Sequence, residues 1–394
     1  MTTFNMLELI CLLLPIAALS GWYLGKRSQG NTHQPKNSTL SSDYYVGLNF
    51  LLNEQPDKAV DAFIRMLEVS PDSVETTLAL GNFFRRRGEV DRAIRVHQGL
   101  IIKPHLTPKQ RSQSLLELAR DYMRAGVYDR AEDLLLEITN SVGHHLDVSL
   151  RHLNDIYERE KDWKKAIDVA VHLQSITEQS RAREIAHYYC ELAENAWSQG
   201  KIKLTFKYLK QGLHYDQNCA RISLMEGNFE KKLGKYSQAL LAYKRIEFQD
   251  VAFLPEALMM IIECYAHLPE KEELHDYLDH LIQKSPSISI VLAKAEKMKE
   301  REGQQSAAHM LTHFMHKHPS IRGIKHLIEF HLARVVGEVR NELLMLKSHI
   351  EQLLEKKPVY RCSCCGFACK LLHWQCPSCR QWSAVKPIQG IEGE

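Results

Sequence analysis

The sequence predicts an all-α protein, an α-solenoid of helix-hairpin repeats that follows an N-terminal transmembrane helix and precedes a small C-terminal metal-binding ribbon. Three observations indicate this class: an apolar run near the start, side chains that recur every 34 residues, and two Cys-x-x-Cys motifs near the end. The 394 residues are 44% apolar and 25% charged, which excludes collagen-like, mucin-like and multi-span membrane classes. The 51 basic residues barely exceed the 48 acidic ones, a balance that argues against a general nucleic-acid binder.

The apolar run predicts a membrane anchor over residues 1–25. Its apolar part, Met6–Gly25, has 20 residues and as a helix is about 30 Å long, which is the thickness of a bilayer core. Trp22 and Tyr23 suit the membrane interface, and Lys26 and Arg27 are the first basic residues. Because basic residues next to a membrane helix favour the cytoplasmic side, we expect the N-terminus on the opposite side of the membrane and the bulk of the chain in the cytoplasm. A cleaved signal peptide is the alternative, although no Lys or Arg precedes the run.

The recurring positions predict tetratricopeptide repeats. Three kinds of residue recur at a spacing of 34: Gly47 and Gly81, Ala59 and Ala93, and Phe50 and Phe84. Small residues let the two helices of a repeat cross closely, and large residues fill the neighbouring volume. Further repeats follow with drift, and we expect helices at 321–335 and 338–356 to cap the array with a polar outer face. A generic helical bundle is the alternative.

In this repeat register, one face of the first helix of each repeat points into the groove, and this face carries charged residues. The arginines on this face are Arg85, Arg86, Arg120, Arg124 and Arg159, and the fourth repeat adds Asp155 and Glu158. An arginine-lined groove suits an acidic or carboxylate-bearing segment, because guanidinium binds carboxylate in a bidentate way. We therefore consider a partner-binding groove here, with a solvated helix surface as the alternative.

Two Cys-x-x-Cys motifs, separated by ten residues, predict a metal site. The four candidate ligands are Cys362, Cys365, Cys376 and Cys379. The short spacing is typical of a rubredoxin-like ribbon, in which two tight turns present four thiolates to one ion. We expect zinc rather than iron, because a closed four-ligand zinc site is the commoner structural use. A disulfide pair is the alternative, and it fits a cytoplasmic placement poorly.

The residues around these motifs indicate how the ribbon folds. Gly366 follows the first motif, where the backbone commonly needs a positive φ, whereas Arg380 stands at the matching position of the second. Four aromatic residues would supply a minimal core: Tyr360, Phe367, Trp374 and Trp382. Because such a core is too small to fold alone, the metal should hold the ribbon together. Cys364 and Cys369 are surplus, and the sequence assigns them no role.

Outside the ribbon, the sequence gives no indication of an enzyme. It contains no phosphate-binding loop, nucleophile elbow, zinc-protease helix or dinucleotide fingerprint. We expect four further cysteines to be buried and to act as small hydrophobic residues: Cys11, Cys190, Cys219 and Cys264. The predicted divisions are an anchor, a linker, a repeat array, the ribbon and a tail, at residues 1–25, 26–41, 42–357, 358–388 and 389–394.

The whole chain resembles the lipopolysaccharide assembly protein B family of Gram-negative bacteria. The resemblance rests on the start MLELICLLLPIAALSGWYLGKRS, on the repeat array, and on the ending PVYRCSCCGFACKLLHWQCPSCRQWSAVKPI. Its most specific parts are GWYLGKR and CPSCRQWS, and Arg380 fits this family's tail. The resemblance implies that the ribbon packs against the repeats, that the four motif cysteines hold the metal, and that there are no catalytic residues.

The resemblance also implies a regulatory role at the cell inner membrane, with the N-terminus in the periplasm. Members act as adaptors that promote degradation of the lipid A pathway deacetylase by the membrane-bound AAA+ protease FtsH, and so set lipopolysaccharide output. The expected partners are FtsH, the deacetylase, other inner-membrane lipopolysaccharide assembly or sensing proteins and a second copy of the chain, but no nucleic acid. The alternatives are a membrane-tethered co-chaperone or scaffold that binds acidic segments, an iron-ribbon redox protein, and a nucleic-acid-binding ribbon.

Overall fold

The computed structural model describes residues 49–50, 58, 73–141, 144–269, 272–391 and 393. In this part of the chain, 16 α-helices precede a small antiparallel sheet. None of the described helices combines the length and the apolar character needed to cross a membrane. The predicted anchor and linker, at residues 1–41, lie outside the described residues, as does most of the first predicted repeat.

The helices follow one another with short connections. In chain order they are α1 (Val74–Arg86), α2 (Val90–Ile101), α3 (Pro108–Ala125), α4 (Tyr128–Asn140), α5 (Leu146–Glu160), α6 (Trp163–Thr177), α7 (Ala182–Ser198), α8 (Ile202–Tyr215), α9 (Ala220–Lys232), α10 (Tyr236–Gln249), α11 (Leu254–His267), α12 (Glu273–Lys284), α13 (Ile288–Glu302), α14 (Gln304–Lys317), α15 (Ile321–Leu332) and α16 (Glu338–Lys356). A 3-10 turn, Val251–Phe253, joins α10 to α11.

The chain divides within α4, between Leu134 and Leu135, into an N-terminal body and a C-terminal body. In the N-terminal body α1 pairs with α2, and α1 also contacts α3. In the C-terminal body the pairs are α5 with α6, α7 with α8, α9 with α10, α13 with α14, and α15 with α16. First helices also contact one another in the order α7, α9, α11, α13 and α15. This stacking of hairpins through their first helices confirms the predicted α-solenoid.

Helix α3 illustrates how the sequence determines where a helix begins and ends. Thr107 is its N-cap residue and exchanges hydrogen bonds with Gln110, forming a capping box. Pro108 occupies the first turn, where its missing N–H costs nothing. Gly126 ends the helix with a φ of +79°, which a residue with a Cβ adopts only with strain.

Small residues lie where the two helices of a repeat cross closely, as the sequence predicts. In the hairpin of α9 and α10, Gly227 faces the ring of Tyr243, and a Cβ on this glycine would meet Tyr243 carbon atoms at 2.4 to 2.7 Å. Ala239 and Tyr243 are fully buried in the same core. The N-terminal body repeats the arrangement, because Gly81 lies directly against the His97 ring.

The last helix differs from the predicted polar cap. Helix α16 begins and ends within the predicted range of 338–356, yet none of its residues is buried. Val339, Leu346 and Leu353 recur every seventh residue and are about half exposed. The expectation of a polar outer face therefore does not hold along this stripe, where apolar side chains stay half exposed among the polar ones.

We predict that Gly81→Ala destabilises the N-terminal body by about 1–3 kcal/mol, the usual cost of overpacking a core. The new Cβ would lie 2.3 Å from Nε2 of His97. This ring has little room to move, because it is fully buried and bonded to Asp121 at 2.5 Å. Urea denaturation gives the free energy of unfolding.

The matched control is Gly99→Ala, on α2 of the same hairpin. A Cβ at Gly99 meets nothing within 4 Å, so this change should stabilise the helix by about 0.5–1 kcal/mol. Equal effects of the two substitutions would show that close helix crossing does not determine the stability of this repeat.

Candidate metal centre and its docking surface

The C-terminal ribbon is a three-stranded antiparallel sheet. Its strands are β1 (Tyr360–Cys362), β2 (Ala368–Cys369) and β3 (Val385–Pro387), in the spatial order β2-β1-β3. The first Cys-x-x-Cys turn lies between β1 and β2. The second turn is closed by an antiparallel bridge between Gln375 and Trp382. Each strand has two or three residues, so backbone pairing alone cannot hold this ribbon together.

The four predicted ligands lie together. The Sγ atoms of Cys362, Cys365, Cys376 and Cys379 all lie within 4.8 Å of one another. Cys362 and Cys379 are separated by 3.6 Å, and Cys365 and Cys376 by 3.7 Å. All four are free cysteines, so the structure has no disulfide pair at this place.

The two cysteine turns have the same backbone pattern. In the first, Cys362 N–H donates to Phe367 O and Gly366 N–H donates to Cys362 O. In the second, Cys376 N–H donates to Gln381 O and Arg380 N–H donates to Cys376 O. Gly366 and Arg380 therefore occupy matching positions, and their φ angles are +78° and +59°. The second turn thus keeps a left-handed backbone that costs roughly 1–2 kcal/mol for a residue with a Cβ.

Electrostatics also favour a bound cation. Burial raises the pKa of Cys362, but the N–H groups of Cys365 and Cys364 outweigh burial and hold its pKa at about 6. At Cys379 the N–H of Gln381 lowers the pKa, whereas burial and the neighbouring thiols raise it to about 12. Four thiolates this close repel one another, so they cannot all ionise unless a cation compensates their charge.

The donor set fits a tetrahedral metal ion. With Zn–S bonds of about 2.3 Å, a tetrahedron separates its sulfur atoms by about 3.8 Å, close to the two shortest separations in this cluster. Four thiolates leave no open coordination position, which suits a structural ion rather than a catalytic one. The ion would hold the two turns together, with the backbone N–H groups stabilising its sulfur ligands.

The aromatic residues only partly form the minimal core that the sequence predicts. Tyr360 and Phe367 do pack around the cysteines, together with Val385. Trp374 and Trp382 instead face the helices of the C-terminal body. The predicted core is therefore corrected: the two tryptophans bury themselves against the repeats because the ribbon has too small an interior to enclose them.

Glu158, on α5, joins the ribbon to the repeats. Its carboxylate accepts hydrogen bonds from three ribbon side chains: Arg380 Nη2 at 3.0 Å, Gln375 Nε2 at 3.0 Å and Trp382 Nε1 at 3.3 Å. The Tyr188 hydroxyl of α7 donates to the same carboxylate. Only 10% of the Glu158 side chain is exposed. A carboxylate with so little water requires these donors, because an unpaired buried charge costs several kcal/mol.

His187, on α7, makes a second junction. Its Nε2 lies 2.7 Å from the Ser383 hydroxyl, and its ring stacks on Trp382 at a centroid distance of 4.8 Å. The Arg221 guanidinium of α9 lies 5.9 Å from the Trp374 ring and 6.0 Å from the Trp382 ring. Helix side chains therefore lie against the flat faces of both tryptophans, and Glu158 accepts the N–H of Trp382.

Two outer contacts complete the docking surface. Lys386 pairs with Asp250 at 2.8 Å, and the Tyr360 hydroxyl donates to Glu256 of α11 at 2.6 Å. With the contacts to α5, α7 and α9, the ribbon reaches four helices of the C-terminal body: α5, α7, α9 and α11. It covers the face that a tetratricopeptide array commonly uses to hold a peptide.

In the N-terminal body, two arginines of the predicted groove are already paired with carboxylates. Arg85 bonds to Glu117 at 2.5 Å and to Asp121 at 2.8 Å. Arg120 pairs with the same Glu117 at 2.7 Å. The charges of these two arginines are therefore already balanced by carboxylates of α3.

Three other arginines of the predicted groove lie at the surface. Arg86 and Arg124 are exposed, and their role in binding a partner stays a prediction. Arg159 pairs with Asp155 at 3.0 Å. Asp155 also binds Arg380, so this end of the predicted groove belongs to the ribbon contact.

The sequence reasoning missed the docking role of Asp155, Glu158 and His187. A signal was present at Arg380, which stands where the backbone prefers glycine. A charged residue in such a position is explained by a partner for its side chain, and Asp155-x-x-Glu158 presents two carboxylates one helical turn apart. His187 carries no comparable signal in its local sequence.

Comparison with known proteins supports the repeat assignment in part of the chain and finds relatives that match nearly all of it. A family model described as tetratricopeptide repeat matches residues 76–111. Lipopolysaccharide assembly protein B of Escherichia coli (strain K12) is 40% identical over 389 residues, which cover 98% of this chain and 100% of that protein. The Haemophilus influenzae protein of the same name is 34% identical over 396 residues, with the same coverage of both chains.

Two solved structures are also similar to this chain. The crystal structure of MamA has a TM-score of 0.32 at 20% identity, and covers 45% of this chain and 97% of that one. A tetratricopeptide repeat protein from Parabacteroides merdae has a TM-score of 0.34 at 11% identity, with coverage of 78% and 97%.

We predict that removing the metal unfolds the ribbon while the repeats stay helical. A high-affinity chelator under reducing conditions should make residues 358–388 sensitive to protease and shift the emission of Trp374 and Trp382 to longer wavelength. Far-UV circular dichroism reports the helices in the same sample. A ribbon that stays protected after complete metal removal would contradict this expectation.

We further predict that Arg380→Gly weakens ribbon docking without loss of metal. Glycine suits the left-handed turn, as Gly366 does, but the change removes the charged donors to Asp155 and Glu158. The net loss should be about 1–3 kcal/mol, measured by hydrogen exchange of residues 358–388. The control is Arg159→Ala, which breaks an exposed pair and should cost under about 1 kcal/mol. Metal loss in Arg380→Gly would show that Arg380 acts on the metal site rather than on docking.

Proposed function

The chain belongs to the lipopolysaccharide assembly protein B family, and from this premise we propose that it is a non-enzymatic adaptor that controls lipopolysaccharide synthesis at the cell inner membrane. It brings the lipid A pathway deacetylase to the membrane-bound AAA+ protease FtsH and so promotes degradation of the deacetylase. The observation that carries the proposal is the 40% sequence identity with lipopolysaccharide assembly protein B, in an alignment that covers 98% of the chain.

The architecture supports a scaffold rather than a catalyst. Stacked helical hairpins expose long surfaces on which proteins dock, and they contribute no reactive groups of their own. The cysteine cluster has no open coordination position. Both features suit a protein that acts by holding others.

The proposed anchor at residues 1–25 would explain how such a scaffold accelerates degradation. A protein confined to the membrane plane meets a membrane protease at a much higher effective concentration than a freely diffusing one does. The proposed orientation has the N-terminus in the periplasm, with Lys26 and Arg27 on the cytoplasmic side. The repeats and the ribbon would then face the cytoplasmic part of the protease.

The docked ribbon limits where partners can bind. It contacts α5, α7, α9 and α11 along their shared face, so the client or the protease must use another surface or the outer side of the ribbon. In the N-terminal body, Arg86 and Arg124 offer exposed positive charge to an acidic segment. Arg85 does not, because Glu117 and Asp121 already hold its guanidinium.

The co-chaperone alternative is tested on these exposed arginines. If that alternative is correct, the double variant Arg86→Glu with Arg124→Glu should abolish capture of an acidic peptide. Under the adaptor function, the same variant should leave client turnover unchanged if the client docks elsewhere. Arg85 is unsuitable for this test, because a glutamate there would face two carboxylates and destabilise the fold.

We predict that depleting this protein in cells lengthens the half-life of the deacetylase, measured after protein synthesis is stopped. The wild-type chain should restore rapid decay, because it returns the client to the protease. A form without the anchor (residues 26–394) should restore little, and so should the variant Cys362→Ser with Cys365→Ser.

The matched control is Cys364→Ser with Cys369→Ser. It removes two thiols from the same ribbon but spares the four that lie together, so it should restore decay as the wild type does. An unchanged deacetylase half-life on depletion would refute the adaptor function. Full restoration by the anchorless form would refute only the tethering.

A further inference from the structure

A second cluster of metal-ligating groups lies in the C-terminal body, outside the ribbon. One ring nitrogen of His187 and the sulfur atoms of Cys190 and Cys219 lie within 4.8 Å of one another. His187 and Cys190 are one helical turn apart on α7, and Cys219 is the N-cap residue of α9. All three are at most 3% exposed. The sequence predicts Cys190 and Cys219 as buried hydrophobic residues, and the structure confirms their burial.

The imidazole of His187 has one nitrogen without a partner. Nε2 lies next to the Ser383 hydroxyl, whereas the buried Nδ1 has no hydrogen-bond partner. Burial, together with the positive charges of Arg221 and Arg183, lowers the pKa of His187 well below its ordinary value, so the ring is neutral. A neutral ring that donates Nε2–H to Ser383 keeps a lone pair on Nδ1, which is the form that binds metals.

The two thiols differ: burial raises the pKa of Cys190 well above its ordinary value, whereas Cys219 is favoured as a thiolate. The Cys190 thiol donates a hydrogen bond to Cys219, and this lowers the pKa of Cys219. The helix N-terminus next to Cys219 stabilises a thiolate further. Arg221 is buried nearby and pairs with Glu191 at 2.7 Å, so its positive charge is shared with a carboxylate.

We propose that His187, Cys190 and Cys219 form a second metal site for a thiophilic d10 cation, Cu⁺ or Zn²⁺. Two thiolates and one imidazole are soft and borderline ligands that these ions prefer over oxygen donors. On binding, two metal–sulfur bonds and one metal–nitrogen bond form, and the two thiols release their protons to solvent. With Zn²⁺ the three ligands and the ion are neutral together. With Cu⁺ the remaining negative charge faces Arg221.

The ribbon would fix the orientation of the His187 ring in this site. The Ser383 hydroxyl holds Nε2 and thereby sets the orientation of the His187 ring, as outer hydrogen bonds do for other metal-bound histidines. The proposal concerns metal binding alone, so it stands or falls independently of the adaptor function.

Metal content of the full-length protein tests the proposal. Reduced, metal-free protein is titrated anaerobically with Zn²⁺ or with Cu⁺ against a competing chelator, in separate arms. We expect two ions per chain for the wild type and one ion per chain for Cys219→Ser. Serine is a favoured N-cap residue, so Cys219→Ser should keep helix α9 and the ribbon contact. Comparison of the arms shows which of the two cations binds more tightly.

The matched control is Cys264→Ser, which removes a fully buried thiol of α11 that is not part of the cluster. It should retain two ions. One ion per chain in the wild type, unchanged in Cys219→Ser, overturns the proposal. So does a Cys190–Cys219 disulfide found by mass spectrometry in a protein whose reduced form takes up no second ion. Circular dichroism confirms that each variant is folded, and His187→Ala provides a second variant if Cys219→Ser unfolds.

Discussion

The nearly buried carboxylate of Glu158 is the constraint on which the C-terminal body depends. Its charge has lost most of its water, and donors from both sides replace that water: Tyr188 from the repeats, and Arg380, Gln375 and Trp382 from the ribbon. Charge-assisted hydrogen bonds of this kind are directional, so they fix the orientation of the ribbon as well as its place. Tyr188 shows the effect on its neighbours, because burial and the Glu158 charge raise its pKa far above the ordinary value.

The ribbon therefore has two faces with different tasks. One face holds four sulfurs together, and the other presents two tryptophans and an arginine to the helices. Arg380 connects the tasks, because its backbone completes the second cysteine turn and its side chain reaches Asp155 and Glu158. The local backbone prefers glycine at this position. Arginine is favoured instead because its side chain binds Asp155 and Glu158, which lie more than 200 residues earlier in the chain. Such departures from local preference are where tertiary interactions decide the residue.

Most of the fold could be predicted from the sequence, because repeat spacing and cysteine spacing are local patterns. Gly81 and Ala93 were recognisable as small crossing residues, and the four ligand cysteines as one cluster. The outward-facing stripe of α16 and the docking of Trp374 and Trp382 could not be predicted, since both depend on which surfaces meet in three dimensions. The pairing of Glu158 with Arg380 could not be predicted in full: Arg380 at a glycine position indicates a partner for its side chain, but the local sequence does not say which carboxylate that partner is.

The contact between Glu158 and the ribbon also bears on the order in which the molecule is made. Helix hairpins close through neighbours in sequence, so they can form while the chain is still being synthesised. The contacts of His187 and Glu158 with the ribbon join residues separated by 196 to 224 positions, and their ribbon partners are synthesised after all the described helices. Until then, the helices display an open carboxylate and an uncovered aromatic surface. Ribbon docking thus covers these groups only after the helices exist, and a chain whose ribbon stays undocked leaves them exposed to water.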